Sequence, residues 1–187
     1  MNKILFNGLL LSLLLMISGC KMVEKNNIVN DNINAFFENR DFSIGELNQF
    51  KVNEAVILPY FNGQYLYDGK NTHKYTFIVS ASSAKELDYI QIHSYQINIS
   101  GELEKKNVSE ELNKQYNFEK VKMDKKSEEY IYILSKYYKK EFMLKVDEKS
   151  QIEVILDISV KSSEKKVRKT IKVLYRYEKT KDAAFPT

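Results

Sequence analysis

The stretch QIEVILDISVK at positions 151–161, followed by KVRKTIKVLYRYE at 166–178, decides the fold class. In the first run Ile152, Val154, Leu156, Ile158 and Val160 alternate with Glu153, Ile155, Asp157, Ser159 and Lys161. In the second, Val167, Ile171, Val173, Tyr175 and Tyr177 are interleaved with Arg168, Thr170, Lys172, Leu174 and Arg176. A period of two puts alternate side chains on opposite faces of a β-strand. Upstream, Phe142, Leu144 and Val146 keep the same period against Met143 and Lys145, with polar turns at 147–150 and 162–165. This spacing predicts a three-stranded antiparallel meander with one dry and one wet face. The dry face needs a second layer.

Earlier runs supply it. Residues 55–61 are apolar, Asn62-Gly63 follows, and 64–67 resumes; Asn-Gly between such runs predicts a hairpin. Pro59 has no amide hydrogen to donate, which places its strand at an edge or a bend. Asp68-Gly69 marks a further turn. Tyr75, Phe77, Val79 and Ala81 alternate with Thr76, Ile78 and Ser80. From Tyr89 the pattern slips: Ile90 and Ile92 are in one phase, and Tyr95, Ile97 and Ile99 in the other. A one-residue slip swaps the buried face, so a bulge near His93-Ser94, or a strand crossing between sheets, is expected.

Two helical pieces precede the strands. Val29, Ile33, Phe36 and Phe37 fall on one helical face, predicting a short helix that ends near Asn39. Ser43 with Glu46 has the form of a capping box opening another turn. Asn107 and Glu110 are spaced as the start of a brief helix through Gln115, 116–123 alternates weakly, and 125–129 reads as a solvated loop. Residues 130–138 are aromatic and β-branched, which favours strand. The fold class expected is mostly β: a two-sheet antiparallel sandwich, immunoglobulin-like or transthyretin-like in architecture, with short N-terminal helical turns. A closed or half-open barrel is the alternative.

The N-terminus carries an address. Asn2 and Lys3 are followed by an apolar run from Ile4 to Ile17, then Ser18, Gly19 and Cys20. This is the layout of an export signal, and it is short of the ~20 apolar residues of a spanning helix. Met16-Ile17-Ser18-Gly19-Cys20 resembles the lipobox of bacterial lipoproteins. The resemblance covers the first twenty or so residues. It implies cleavage between Gly19 and Cys20 and a diacylglyceryl group on the Cys20 thiol. It also implies a cell-envelope location: the periplasmic face of the outer membrane or the cell surface in a Gram-negative cell, the outer face of the membrane in a Gram-positive one. Acyl chains add about 0.8 kcal/mol per buried methylene, so two or three hold stably. The organisation expected is a signal at 1–19, a lipidated cysteine and flexible tether at 20–28, a single β domain at 29–181 and a frayed tail at 182–187.

Cys20 is the only cysteine, so once lipidated it leaves no disulfide, thiolate nucleophile or cysteine metal site. The net charge of +4, with both signs mixed, describes a solvated surface rather than a nucleic-acid footprint. His73 and His93 are the two histidines; sequence gives neither a partner, and both are expected to be ordinary surface or strand residues. Glu110-Glu111 and Glu128-Glu129 are adjacent and so point apart, and Asp157 is expected to face basic neighbours. Nucleophile-elbow, zincin, phosphate-loop and EF-hand patterns do not occur. No catalytic residue, cofactor or metal is expected.

The strongest candidate binding surface is the cluster Tyr130, Tyr132, Tyr137 and Tyr138, rimmed by Lys136, Lys139 and Lys140. The expectation is a membrane-anchored lipoprotein with a non-enzymatic protein-binding or structural role in the envelope. Its partners would be membrane lipid through Cys20 and another envelope protein. The alternative is an immunity or inhibitor lipoprotein that neutralises an envelope-acting toxin, and the least favoured reading is an enzyme acting on envelope material.

Overall fold

The structure, a computed structural model, describes residues 21–37, 44–65, 71–122 and 130–184. Strand β1 (Lys21–Val29) leads to helix α1 (Asp31–Phe37) and a 3-10 turn (Ile44–Phe50). Then come β2 (Lys51–Val52), β3 (Ala55–Tyr65), β4 (Asn71–Ser83), β5 (Tyr89–Ser100) and β6 (Lys105–Lys122). The C-terminal strands are β7 (Tyr130–Leu134), β8 (Tyr138–Met143), β9 (Gln151–Lys161) and β10 (Lys166–Ala184). The sheet order is β1-β10-β9-β5-β6-β7-β4-β3-β2, with β8 also paired to β4. Every ladder is antiparallel.

The mostly-β expectation holds. The expected two separate sheets do not: one continuous sheet curls into a half-barrel. The long β6 joins the halves. Its residues 105–117 pair with β5, and Phe118–Lys122 pair with β7. Curling brings β1 alongside β3 and closes the dry faces on each other. Phe61 packs edge-on to Tyr175 at 5.3 Å and lies 5.2 Å from Phe77, which is 5.5 Å from Tyr95. Such pairs contribute about 0.5–1.5 kcal/mol each beyond their buried area.

The β9–β10 hairpin follows the sequence pattern: Ile152, Val154, Leu156, Ile158, Val160, Ile171, Val173 and Tyr175 are all buried. The third strand of the meander is corrected. Phe142 belongs to β8, which joins β4, and β9 has β5 as its other neighbour. Leu144 and Val146 are buried outside any strand, as an extended crossing between the two halves.

The phase slip in β5 is a bulge, as expected. His93 is the extra residue between Ile92↔Ile158 and Ser94↔Asp157, and Leu112 and Asn113 together face that one residue from β6. Asn113 takes the left-handed conformation (φ 47°), which asparagine tolerates better than most residues.

Several local expectations are overturned. Asn62-Gly63 is not a hairpin turn: β3 runs through it, with a register irregularity, to Tyr65↔Asn71. The tight two-residue turn is Asn53–Glu54, between β2 and β3, with Asn53 at φ 54°. The helix expected from Asn107 is strand β6, whose long-range ladder with β5 overrides a local capping signal. The expected tether forms β1 and pairs with the end of β10, Lys21↔Ala184 through Val29↔Arg176, so that residues 182–184 of the expected tail are strand as well. Both segments are polar, but each supplies the other with backbone partners. Ser43, Asp68-Gly69 and the loop at 125–129 lie outside the described residues, as does the signal segment with Gly19 and Cys20.

Candidate functional site

The four tyrosines singled out above do not form one patch. Tyr138 is a core residue, 6% exposed, against Phe77 and Tyr95. Tyr130 is exposed at the start of β7, with the Lys120 ammonium 4.1 Å from its ring centre. Tyr132 is half-buried and sits opposite Lys120. Tyr137, 53% exposed, is the one of the exposed pair that lies near another aromatic residue outside the cluster.

Its neighbour is Tyr60 of β3, whose phenol is raised above its ordinary pKa by burial and by the closeness of Tyr137. Tyr60 in turn meets Phe37, 51% exposed at the end of α1, edge-on at 5.0 Å. Helix α1 is held there by Asn30. Its Oδ1 accepts from the Ile33 amide at 3.2 Å, an N-cap bond, while its Nδ2 donates to the Leu174 carbonyl at 2.9 Å. Ile33 is thereby buried.

Between α1 and β3, where the sheet has not closed, lies a crevice of ≈ 340 Å³. Phe37 and Tyr60 stand at its mouth, with Phe61 and Tyr175 deeper. Among the described residues its polar lining comprises Asn30, Asn34 and Asn62 together with the tyrosines Tyr60 and Tyr175. Asn30 is committed to its two bonds, whereas the side chains of Asn34 and Asn62 have no partner among the described residues. No local signal marks this site. It is assembled from a helix, an edge strand and a C-terminal strand that only the curled sheet brings together.

Elsewhere, titratable groups meet in braces. The Tyr95 hydroxyl donates to Glu110 Oε2 at 2.7 Å, and Lys140 bonds the same oxygen. Lys140 and then Tyr95 hold the Glu110 carboxyl below its usual range. Burial pushes the Tyr138 phenol up to about 12 and raises that of Tyr95 further. Glu110 and Lys140 link β6 to β8, which share no ladder, as does Lys106 Nζ to the Met143 carbonyl (2.9 Å); just beyond these strands the Lys145 amide donates to Glu104 (2.8 Å). None of the three is poised near neutrality for proton transfer.

His93 Nε2 lies 2.7 Å from Ser159 Oγ, and its Nδ1 lies 3.3 Å from Asn113 Oδ1. Hydroxyl, imidazole and amide occur in the order of a nucleophile relay. Ser159, however, is 1% exposed, so no substrate reaches it; the chain of bonds pins the bulge. His73 is a half-buried β4 residue whose carbonyl accepts from the Leu144 amide. Asp157 is engaged by both Nε and Nη2 of Arg168, which lowers its pKa. Glu110 is half-buried and Glu111 exposed, so these neighbours do point apart; Glu128-Glu129 lie outside the described residues. Among the described residues no three His, Cys, Asp or Glu side chains gather to hold a metal, and no helix is long and apolar enough to cross a membrane.

Comparison with protein-family models, curated proteins and solved structures finds no match to this chain.

Proposed function

We propose that this chain is a lipid-anchored protein of the bacterial envelope that binds another envelope protein without catalysing a reaction. The anchor is Cys20, cleaved after Gly19 and acylated. The support for it is the charged start, apolar run and Ser18-Gly19-Cys20 of the N-terminus. The observation that carries the binding role is the aromatic group made by exposed Tyr137 and Phe37 with half-buried Tyr60 between them. Aromatic side chains supply large contact area with few rotors and are enriched in binding surfaces. Because β1 begins directly after Cys20, the anchor would join the sheet without a spacer.

The test has two arms. Mass spectrometry of the N-terminal peptide is expected to show a diacylated Cys20, and Cys20→Ala is expected to release the protein from membranes. A photo-crosslinking residue at position 137 is expected to trap one discrete partner in cells. The same residue at exposed Lys165, in the β9–β10 turn, is expected to trap none. An unmodified thiol would remove the anchor, and equal labelling from both positions would remove the binding surface.

A further inference from the structure

The crevice between α1 and β3 has a chemistry that names a ligand class, beyond any protein partner. Its ≈ 340 Å³ lies at the small end of ligand pockets, which begin near ~300 Å³; it suits a single ring rather than an extended chain. Among the described residues no Asp, Glu, Lys, Arg or His lines it. The one ionic side chain of α1, Asp31, is held by Arg176 at 2.8 Å. A phosphorylated or carboxylated ligand would therefore enter without a counter-charge. A purely apolar ligand would strand the Asn34 and Asn62 amides, each of which offers donors and an acceptor. What complements aromatic walls and two unspent amides is a flat, uncharged molecule with apolar faces and a belt of hydroxyls.

We propose that this crevice binds one neutral pyranose ring. The C–H face of the sugar lies against Phe37 and Tyr60, and the amides of Asn34 and Asn62 pair with its hydroxyl or acetamido groups. The Tyr60 hydroxyl, at the mouth, donates to a further sugar oxygen. The deeper Tyr175 is not a sugar contact: its hydroxyl is committed to the Pro59 carbonyl at 2.6 Å.

The proposal is tested by calorimetric titration of the full-length chain, kept in a detergent without a sugar headgroup. The probes are the trisaccharides of N-acetylglucosamine and of cellulose, with acetyl-trialanine amide as a neutral peptide control. Saturable binding of at least one trisaccharide is expected, with Kd about 1 mM or tighter, and none of the peptide. Phe37→Ala and Asn62→Ala change exposed side chains; each is expected to weaken binding about tenfold or more, a loss of roughly 1.4 kcal/mol, with an unchanged melting temperature. Three results would overturn the proposal: no saturation with either sugar, sugar binding undiminished in both variants, or the peptide binding at least as tightly. Each is read on the isolated chain and is independent of the crosslinking outcome.

Discussion

The hydroxyl of Tyr175, on β10, donates to the carbonyl oxygen of Pro59, on β3, at 2.6 Å, across the seam of the half-barrel. Pro59 lies in an edge strand, as its missing amide hydrogen requires: outside β3, the short β2 pairs only with Ala55 and Val56. Both Pro59 and Tyr175 are buried, so without the phenol this carbonyl would be an unpaired acceptor in the core. One side chain of the C-terminal hairpin thus completes the backbone pairing of the opposite edge.

Tyr175→Phe keeps the ring against Phe61 and removes only the donor. Leaving a buried acceptor unsatisfied costs about 1–3 kcal/mol. At roughly 2–4 °C per kcal/mol for a domain of this size, the melting temperature is expected to fall by several degrees with an unchanged urea m-value. A melting temperature equal to that of the parent would show that the bond contributes nothing.

The buried phenols predict an alkaline limit. Burial raises the pKa of Tyr175, Tyr95 and Tyr138 in the folded state. A raised folded pKa adds stability that is complete below the unfolded value of ~10 and is lost as pH climbs from there toward the folded value. Absorbance titration at the phenolate band is expected to show Tyr175, Tyr95 and Tyr138 staying protonated while the protein remains folded. The three buried tyrosines should ionise only with the loss of near-ultraviolet circular dichroism. Early, reversible ionisation of all tyrosines in the folded protein would contradict this.

Gly101 permits a close crossing. A Cβ there would stand 2.6 Å from Ser150 Oγ and 3.2 Å from the Ser150 Cα. Ser150 cannot simply swing away, because its Oγ donates to Asp147 Oδ1 at 2.8 Å and accepts from the Asp147 amide at 3.0 Å. Gly101→Ala is expected to destabilise by about 1–3 kcal/mol, the usual cost of overpacking. Adding Ser150→Ala should recover only part of it, since the backbone clash persists. Denaturant titration of the two variants decides the matter.

At the bulge, removing the imidazole should cost more than removing the hydroxyl. His93→Ala leaves Ser159 Oγ buried without its partner, an expected loss of about 1–3 kcal/mol. Ser159→Ala leaves His93, which is half-exposed, free to turn to water, and should cost less. The double variant is expected to fall short of the sum, as for any coupled pair. Strict additivity would mean that the 2.7 Å contact is incidental.

The sequence marked the bulge at His93, the edge position of Pro59 and the α1 helix, because each leaves a local signature: a phase slip, a missing donor, a helical period. It singled out Tyr137 for its aromatic density but grouped it with the wrong neighbours. Tyr130 and Tyr132 lie in β7, whereas Tyr137 precedes β8 and Tyr138 opens it and turns into the core. Tyr60, Phe37 and Asn34 had no signature, since each reads locally as an ordinary strand or helix residue.

By itself, the sequence determined that the chain is built of antiparallel strands with one dry face, and which residues of β4, β5, β9 and β10 point into the core. Alternation encodes the direction of each side chain, and burial of apolar area rewards one direction over the other. Tertiary structure alone decided that β8 joins β4, that the charged β6 bridges the halves, that the polar ends pair as β1 and β10, and that one curled sheet leaves a crevice at its seam. Those outcomes depend on backbone edges, and a peptide N–H or C=O carries no mark in the sequence of the distant strand that will satisfy it.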